Sequence, residues 1–233
     1  HKPIIPVNHV IAHMYANFVD GKQINFPAIS LVVSGGHTEL YLMKSTKDLT
    51  WLGGTLDDAA GECFDKTARL LGFGHGGGLA IQTAAEIFQH GNILKSSHIK
   101  LPRPMINDKS LNFSFSGLKT AVMREVNKLK SAQQYNNETI QQFAFEVQES
   151  ITDVLVTKTL RAAKQFEAKS IFLSGGVAAN TRLREKFSLT IHVPETQFCT
   201  DNAVMIGAYA YFRGKPVDWH TITAQPDLNV ELS

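Results

Sequence analysis

The chain has 233 residues, 43% apolar and 19% charged, with a formal net charge of +2. That is the composition of a globular domain able to bury a core, and it excludes a uniformly basic nucleic-acid binder. No apolar run approaches the roughly 20 residues that span a bilayer, no signal-peptide pattern opens the chain, and two distant cysteines, Cys63 and Cys199, suggest no disulfide framework.

Val7 to Phe18 reads as a helix, and His9 and His13, four apart, share one of its faces. Pro27–Ser34 reads as a buried strand and Thr38–Lys44 as a second, joined by Gly35-Gly36-His37 into a hairpin. The spacing of Ala60, Phe64, Ala68 and Leu71 predicts a helix over Asp57–Leu71, followed by a flexible loop over Gly74–Gly78 that also holds His75. A helix over Leu79–Gln89, a connection through Pro102 and Pro104, a short strand at Phe113–Ser116 and a helix over Gly117–Lys130 follow. Glu138–Phe166 is the longest helical stretch, with Phe143, Val147, Ile151, Val154 and Leu155 on one face. A strand at Ile171–Ser174, a helix over Ala178–Phe187, a strand at Thr190–Val193 and a helix over Asn202–Phe212 complete the pattern before an irregular tail from Gly214. Alternating strands and helices with an early hairpin predict an α/β fold with a mixed sheet.

Two strands end in the same elbow: Leu31-Val32-Val33-Ser34-Gly35-Gly36 and Ile171-Phe172-Leu173-Ser174-Gly175-Gly176. Paired glycines at a strand end let backbone N–H groups approach a phosphate or nucleoside, though ordinary tight turns also use them. Two neutral imidazoles at i, i+4 suit one divalent metal, and Asp201 is the best third ligand, although a carboxylate there also suits a helix N-cap. Asn180 is placed to read an adenine edge or ribose hydroxyl. Asp57 and Asp58 complement a helix N-terminus. Asp65, before the glycine-rich loop, suits a ribose or a solvated face. The cysteines read as small core residues. From Lys95 to Lys130 eight cations face only Asp108 and Glu125, which suits RNA phosphates or a solvated face. A zincin protease needs Glu after the first His, and here Val10 stands there.

Together, His9-Val-Ile-Ala-His13, Val33-Ser-Gly-Gly-His-Thr38, Leu56-Asp-Asp-Ala-Ala-Gly-Glu-Cys-Phe-Asp-Lys66, Phe113-Ser-Phe-Ser-Gly-Leu-Lys-Thr120, Ser174-Gly-Gly-Val-Ala-Ala-Asn180 and Cys199-Thr-Asp-Asn202 resemble the bacterial and organellar tRNA N6-adenosine threonylcarbamoyltransferases. The resemblance runs in order from about Val7 to Ala210. It implies an actin-like, two-lobed fold of mixed sheets with an incomplete first lobe. Residues 1–50 would be the remainder of that lobe, 51–213 a helical insertion with the nucleotide-binding lobe, and 214–233 a tail. It also implies that His9, His13 and Asp201 hold one divalent metal, Fe(II) ahead of Zn(II). Val32, Val33, Ser34, Gly35, Gly36, Asp65, Gly78 and Asn180 would bind an adenylate or ATP-type nucleotide.

The implied reaction moves threonylcarbamoyl from threonylcarbamoyl-AMP to the N6 amine of adenosine 37 in the anticodon loop of tRNAs reading codons that begin with A. His37 is the candidate general base. Implied partners are tRNA, a paralogous actin-like subunit and a P-loop ATPase, in the cytoplasm or an organellar matrix, with no membrane. The alternatives are a non-catalytic actin-like nucleotide-binding scaffold and, below it, a metalloendopeptidase. Departures from the family pattern are Gly76 and Leu79 in place of two prolines, and Gln82 where many members carry aspartate. The chain opens at His1 rather than Met, and a family N-terminal segment has no counterpart, so we expect a piece of a longer protein.

Overall fold

Strand β1 (Ala28–Val33) is buried at every position, as befits a strand covered on both faces. Ile29, Leu31 and Val33 enter one hydrophobic core, while Ala28 and Val32 enter another on the opposite side. In this computed structural model β1 pairs antiparallel with β2 (Thr38–Met43) and parallel with β4 (Ser170–Ser174). Strand β3 (Leu49–Gly54) flanks β2 and β5 (Ile191–His192) flanks β4, giving one five-stranded mixed sheet in the order β3-β2-β1-β4-β5. The described residues are 3–21, 23–74, 76–91, 99–187 and 190–224. His75, Lys95 and the tail beyond residue 224 lie outside them.

Helices cover both faces. On one side α1 (His9–Tyr15), a 3-10 turn over Ala16–Phe18 and α7 (Ala203–Arg213) bury Met14, Tyr15, Met205 and Tyr209 against Val32 and Phe172. On the other lie α2 (Ala60–Leu71), α3 (Gly77–His90), α4 (Ser116–Ser131) and α5 (Asn137–Gln165). The α5 line of Phe143, Val147, Ile151, Val154 and Leu155 is fully buried, as its spacing predicts. A capping box starts that helix. Asn136 Oδ1 accepts the Thr139 N–H at 3.0 Å, and Thr139 Oγ1 accepts the Asn136 N–H at 2.9 Å.

Several expectations are corrected. Strand β3 was not foreseen, because at the sheet edge its Thr50 and Trp51 are exposed and its apolar pattern is weak. Phe113–Ser116 is no strand. It makes one bridge, Thr55 to Phe113, and Ser116 already opens α4. Asp57 and Asp58 lie outside α2. Its first N–H, on Ala60, donates instead to Thr38 Oγ1 at 2.8 Å, from a different element. Gly77 and Gly78 belong to α3 rather than a loop. The helix expected over Ala178–Phe187 is a 3-10 turn (Gly176–Ala179) followed by a short α6 (Thr181–Glu185), since Asn180 takes an extended cap conformation between them.

Candidate metal and substrate site

Asn8 starts α1 by accepting the Ile11 N–H on its Oδ1 at 3.1 Å, which sets His9 and His13 on successive turns of one face. Their ring centroids are 5.1 Å apart. Asp201, from the loop before α7, brings Oδ1 to 3.2 Å from His9 Nε2 and 3.3 Å from His13 Nε2. All three donor atoms lie within 4.8 Å of one another. Donors about 2.0–2.1 Å from a shared cation stand roughly 3–4 Å apart, so this set fits one divalent ion. Burial, then the neighbouring His9, lowers the pKa of His13 against the pull of Asp201, which leaves a neutral imidazole with a free lone pair. Asp201 is not the cap of α7. Asn202 takes that role, accepting the Met205 N–H at 2.9 Å, and the exposed Asp201 carboxylate is left to the histidines.

Both elbows lie at the C-terminal ends of adjacent parallel strands, where open α/β sheets bind ligands. They touch. Gly175 has φ +87°, and a Cβ there would stand 2.3 Å from the Val33 carbonyl oxygen. Gly35 and Gly36 differ, for neither has a left-handed φ and a Cβ on either would meet nothing within 4 Å. Neither a left-handed φ nor packing within the described residues requires those two glycines, so the surface beside them is open to close approach. Val32 and Val33 bury their side chains in opposite cores, so they offer backbone alone. The Ser34 N–H donates to the His37 carbonyl at 2.8 Å, and Ser34 Oγ accepts the His37 N–H at 3.1 Å, closing the turn. The His37 ring is near enough to His13 to depress its pKa.

Asp65 reaches the start of α3 at Gly77, not Gly78: a Cβ on Gly77 would be 1.9 Å from Asp65 Oδ1, whereas one on Gly78 would meet nothing within 4 Å. Asn180 is mostly buried. Its Oδ1 accepts the Leu183 N–H at 2.9 Å and its Nδ2 donates to Gln148 at 3.0 Å, so the structure uses it first as the cap of α6. Gln82 accepts the Thr181 N–H at 3.2 Å, tying α3 to the residue beside Asn180.

In the basic stretch only Arg103 is held in close ion pairs, while Arg124 and Lys128 remain mostly exposed. Arg103 pairs with Asp153 and Glu146, Arg124 and Lys128 with Glu125, and Lys130 lies over Tyr135. Lys100 and Lys109 are exposed. Cys63 and Cys199 are buried free thiols, as read, and burial pushes Cys63 up to about 12.

Sequence reasoning assigned Asp57 to the start of α2 and missed its bonds to the start of α4. Its carboxylate accepts the N–H groups of Phe115 (2.8 Å) and Ser116 (3.2 Å) and the hydroxyls of Ser114 (2.6 Å) and Ser116 (2.7 Å). Burial opposes its ionisation, yet these four bonds hold its pKa down to about 2. Two serines flanking Phe115 were the available signal.

A family model described as "TsaD: tRNA N6-adenosine threonylcarbamoyltransferase" matches residues 1–208. Relatives with that enzyme name include a protein of Persephonella marina, 48% identical over 224 residues (92% of this chain, 61% of that protein). One of Sulfurihydrogenibium sp. is 46% identical over 220 residues (92% and 61%). One of Thermosipho africanus is 41% identical over 239 residues (98% and 69%). The chain thus spans about three fifths of the length of the first two. With its metal-type triad, paired elbows and a match over most of its residues, the chain belongs to the TsaD family of tRNA N6-adenosine threonylcarbamoyltransferases.

Proposed function

We propose that this chain carries the metal- and adenylate-binding part of an enzyme that transfers threonylcarbamoyl from threonylcarbamoyl-AMP to N6 of adenosine 37 in tRNAs reading codons that begin with A. The observation that carries this reading is the convergence of His9, His13 and Asp201 in a chain whose two elbows sit side by side at the sheet's C-terminal edge. In the reaction the adenosine amine attacks the carbamoyl carbon, the bond from that carbon to the phosphate oxygen breaks, and AMP leaves. The N–H groups of Gly35 and Gly36 face the departing phosphate. Asp65, Gly78 and Asn180 hold the nucleoside. His37 takes the amine proton, and a His37→Ala variant with an undiminished transfer rate would remove it from that role. A divalent cation on His9, His13 and Asp201, Fe(II) ahead of Zn(II), would polarise the carbonyl or anchor substrate oxygens.

The anticodon loop is single-stranded, so its adenine is unstacked at little cost. The proposed partners are tRNA, a paralogous actin-like subunit and a P-loop ATPase, and the proposed compartment is the cytoplasm. Among the described residues no helix is long and apolar enough to cross a membrane. The protease alternative lacks its general base, since Val10 neither takes nor gives a proton. The test incubates the chain and those partners with labelled threonylcarbamoyl-AMP and unmodified tRNA. Label reaching the tRNA, lost with chelator, is expected. Adenylate binding with no label transferred would overturn the reading in favour of a scaffold.

A further inference from the structure

Helix α4 buries Leu118, Val122 and Val126 along one face. On its outward side Thr120, Arg124, Asn127, Lys128 and Ser131 recur at helical spacing, and all five are exposed. Each can donate a hydrogen bond and none is acidic. A helix face that only meets water commonly alternates the sign of its charges, and this one does not.

The cations of α4 are also held loosely. Elsewhere the chain ties its cations closely, with Arg182 2.6 Å from Glu149 and Lys186 2.5 Å from Asp153. The one carboxylate of α4, Glu125, stands 3.5 Å from Arg124 and 3.8 Å from Lys128, whose side chains stay 77% and 75% exposed. Lys119, half-buried at the margin of the outward side, lies near the helix start, where the helix dipole disfavours a cation. The dipole suits Lys128 and Lys130 at the other end but accounts for neither Lys119 nor Arg124.

The helix sets out from the candidate site. Asp57 holds its first N–H groups, and four residues further on the Gly61 N–H donates to the Ser34 carbonyl of the first elbow at 3.2 Å. Beyond its far end the Tyr135 hydroxyl donates to the Leu71 carbonyl, where α2 finishes, at 3.0 Å. Thus α4 runs alongside α2 and away from the elbow. Lys119, Arg124 and Lys128 follow one another over about 14 Å of its axis.

We infer that the outward side of α4 is the surface that holds backbone phosphates of the tRNA whose adenosine enters the site. Arg124 offers a planar fork matched to phosphate, and Lys119 and Lys128 supply point charges. Thr120, Asn127 and Ser131 add neutral donors, as phosphate contacts commonly use. This rests on the reading of the chain as part of a tRNA-modifying enzyme.

Fluorescence anisotropy of a labelled tRNA transcript with the full chain, across a salt series, tests the inference. Each phosphate-bound cation contributes about one unit to the slope of log affinity against log salt, so Arg124→Gln/Lys128→Gln should lower the slope by about two. Phosphates carry no sequence information, so the loss should be equal for transcripts with and without adenosine at position 37. The control, Lys164→Gln/Lys169→Gln, removes the same charge from exposed residues between the end of α5 and the start of β4, at the opposite edge of the sheet from the elbows. It should leave the slope unchanged. A full slope in Arg124→Gln/Lys128→Gln, as an acidic protein partner on this face would give, or an equal drop in the control, would overturn the docking surface while leaving the tRNA reading standing. An unaltered chain that binds no tRNA would overturn both.

Discussion

Asn202 rather than Asp201 accepts the Met205 N–H that starts α7, and this one-residue offset leaves the Asp201 carboxylate free for chemistry. Because Asp201 is exposed and caps nothing, Asp201→Asn should change stability by less than about 0.5 kcal/mol. Losing a ligand should exceed the effect of losing a supporting residue, so zinc affinity should fall by more than about 100-fold, measured by competition with a chromophoric chelator. The elbow glycines separate in the same way. Gly175→Ala forces a Cβ to 2.3 Å from the Val33 oxygen at φ +87°, and should destabilise by about 2 kcal/mol or more in urea unfolding. Gly35→Ala meets open space and should cost nothing in stability, while AMP binding by calorimetry should weaken. Equal AMP affinity in the two proteins would remove the elbow from the nucleotide site.

Caps supplied from a distance organise the elements around the site. Thr38 caps α2, and Asp57 caps α4, so the first elbow, α2 and the Phe113–Ser116 segment are held as one unit. Asp57→Ala should cost about 1–2 kcal/mol, the range for a lost N-cap, read as a shift in urea midpoint at constant slope. Its pH dependence has a definite sign. The folded pKa of about 2 lies below the ordinary 3.8, so the contribution is fully present above about 3.8 and is lost as pH falls toward 2. Solvent exposure of this carboxylate reduces the size of that effect. Stability of Asp57→Ala should therefore fall less steeply across that window, and parallel curves for the two proteins would show that the carboxylate does not carry the cap.

At the scale of the whole molecule, the candidate metal site joins α1 to the loop before α7, two segments nearly two hundred residues apart that pack on the same face of the sheet. An ion bound there would act as a clasp between them. Zinc at 100 times its dissociation constant should stabilise the fold by about 2.7 kcal/mol, seen as a raised thermal midpoint that chelator reverses. Asp201→Asn should show no such rise, and a full rise in that variant would mean the ion binds elsewhere.

The family motifs, the helical line of α5, the hairpin around Ser34–His37 and the pairing of His9 with His13 were all legible in the residues, because each depends on spacing within one element. Helix starts were not. Ala59 and Ala60 carry no capping side chain, and the oxygen that serves α2 lies on Thr38, more than twenty residues earlier. Strand β3 was hidden for a related reason, since an edge strand is held by its neighbour's backbone and needs little apolar patterning of its own. The approach of Asp201 to His9 and His13 was likewise decided only by folding. Local order specifies which face a side chain takes, whereas the meeting of α1, β4 and the loop before α7 depends on two hydrophobic cores closing around one sheet.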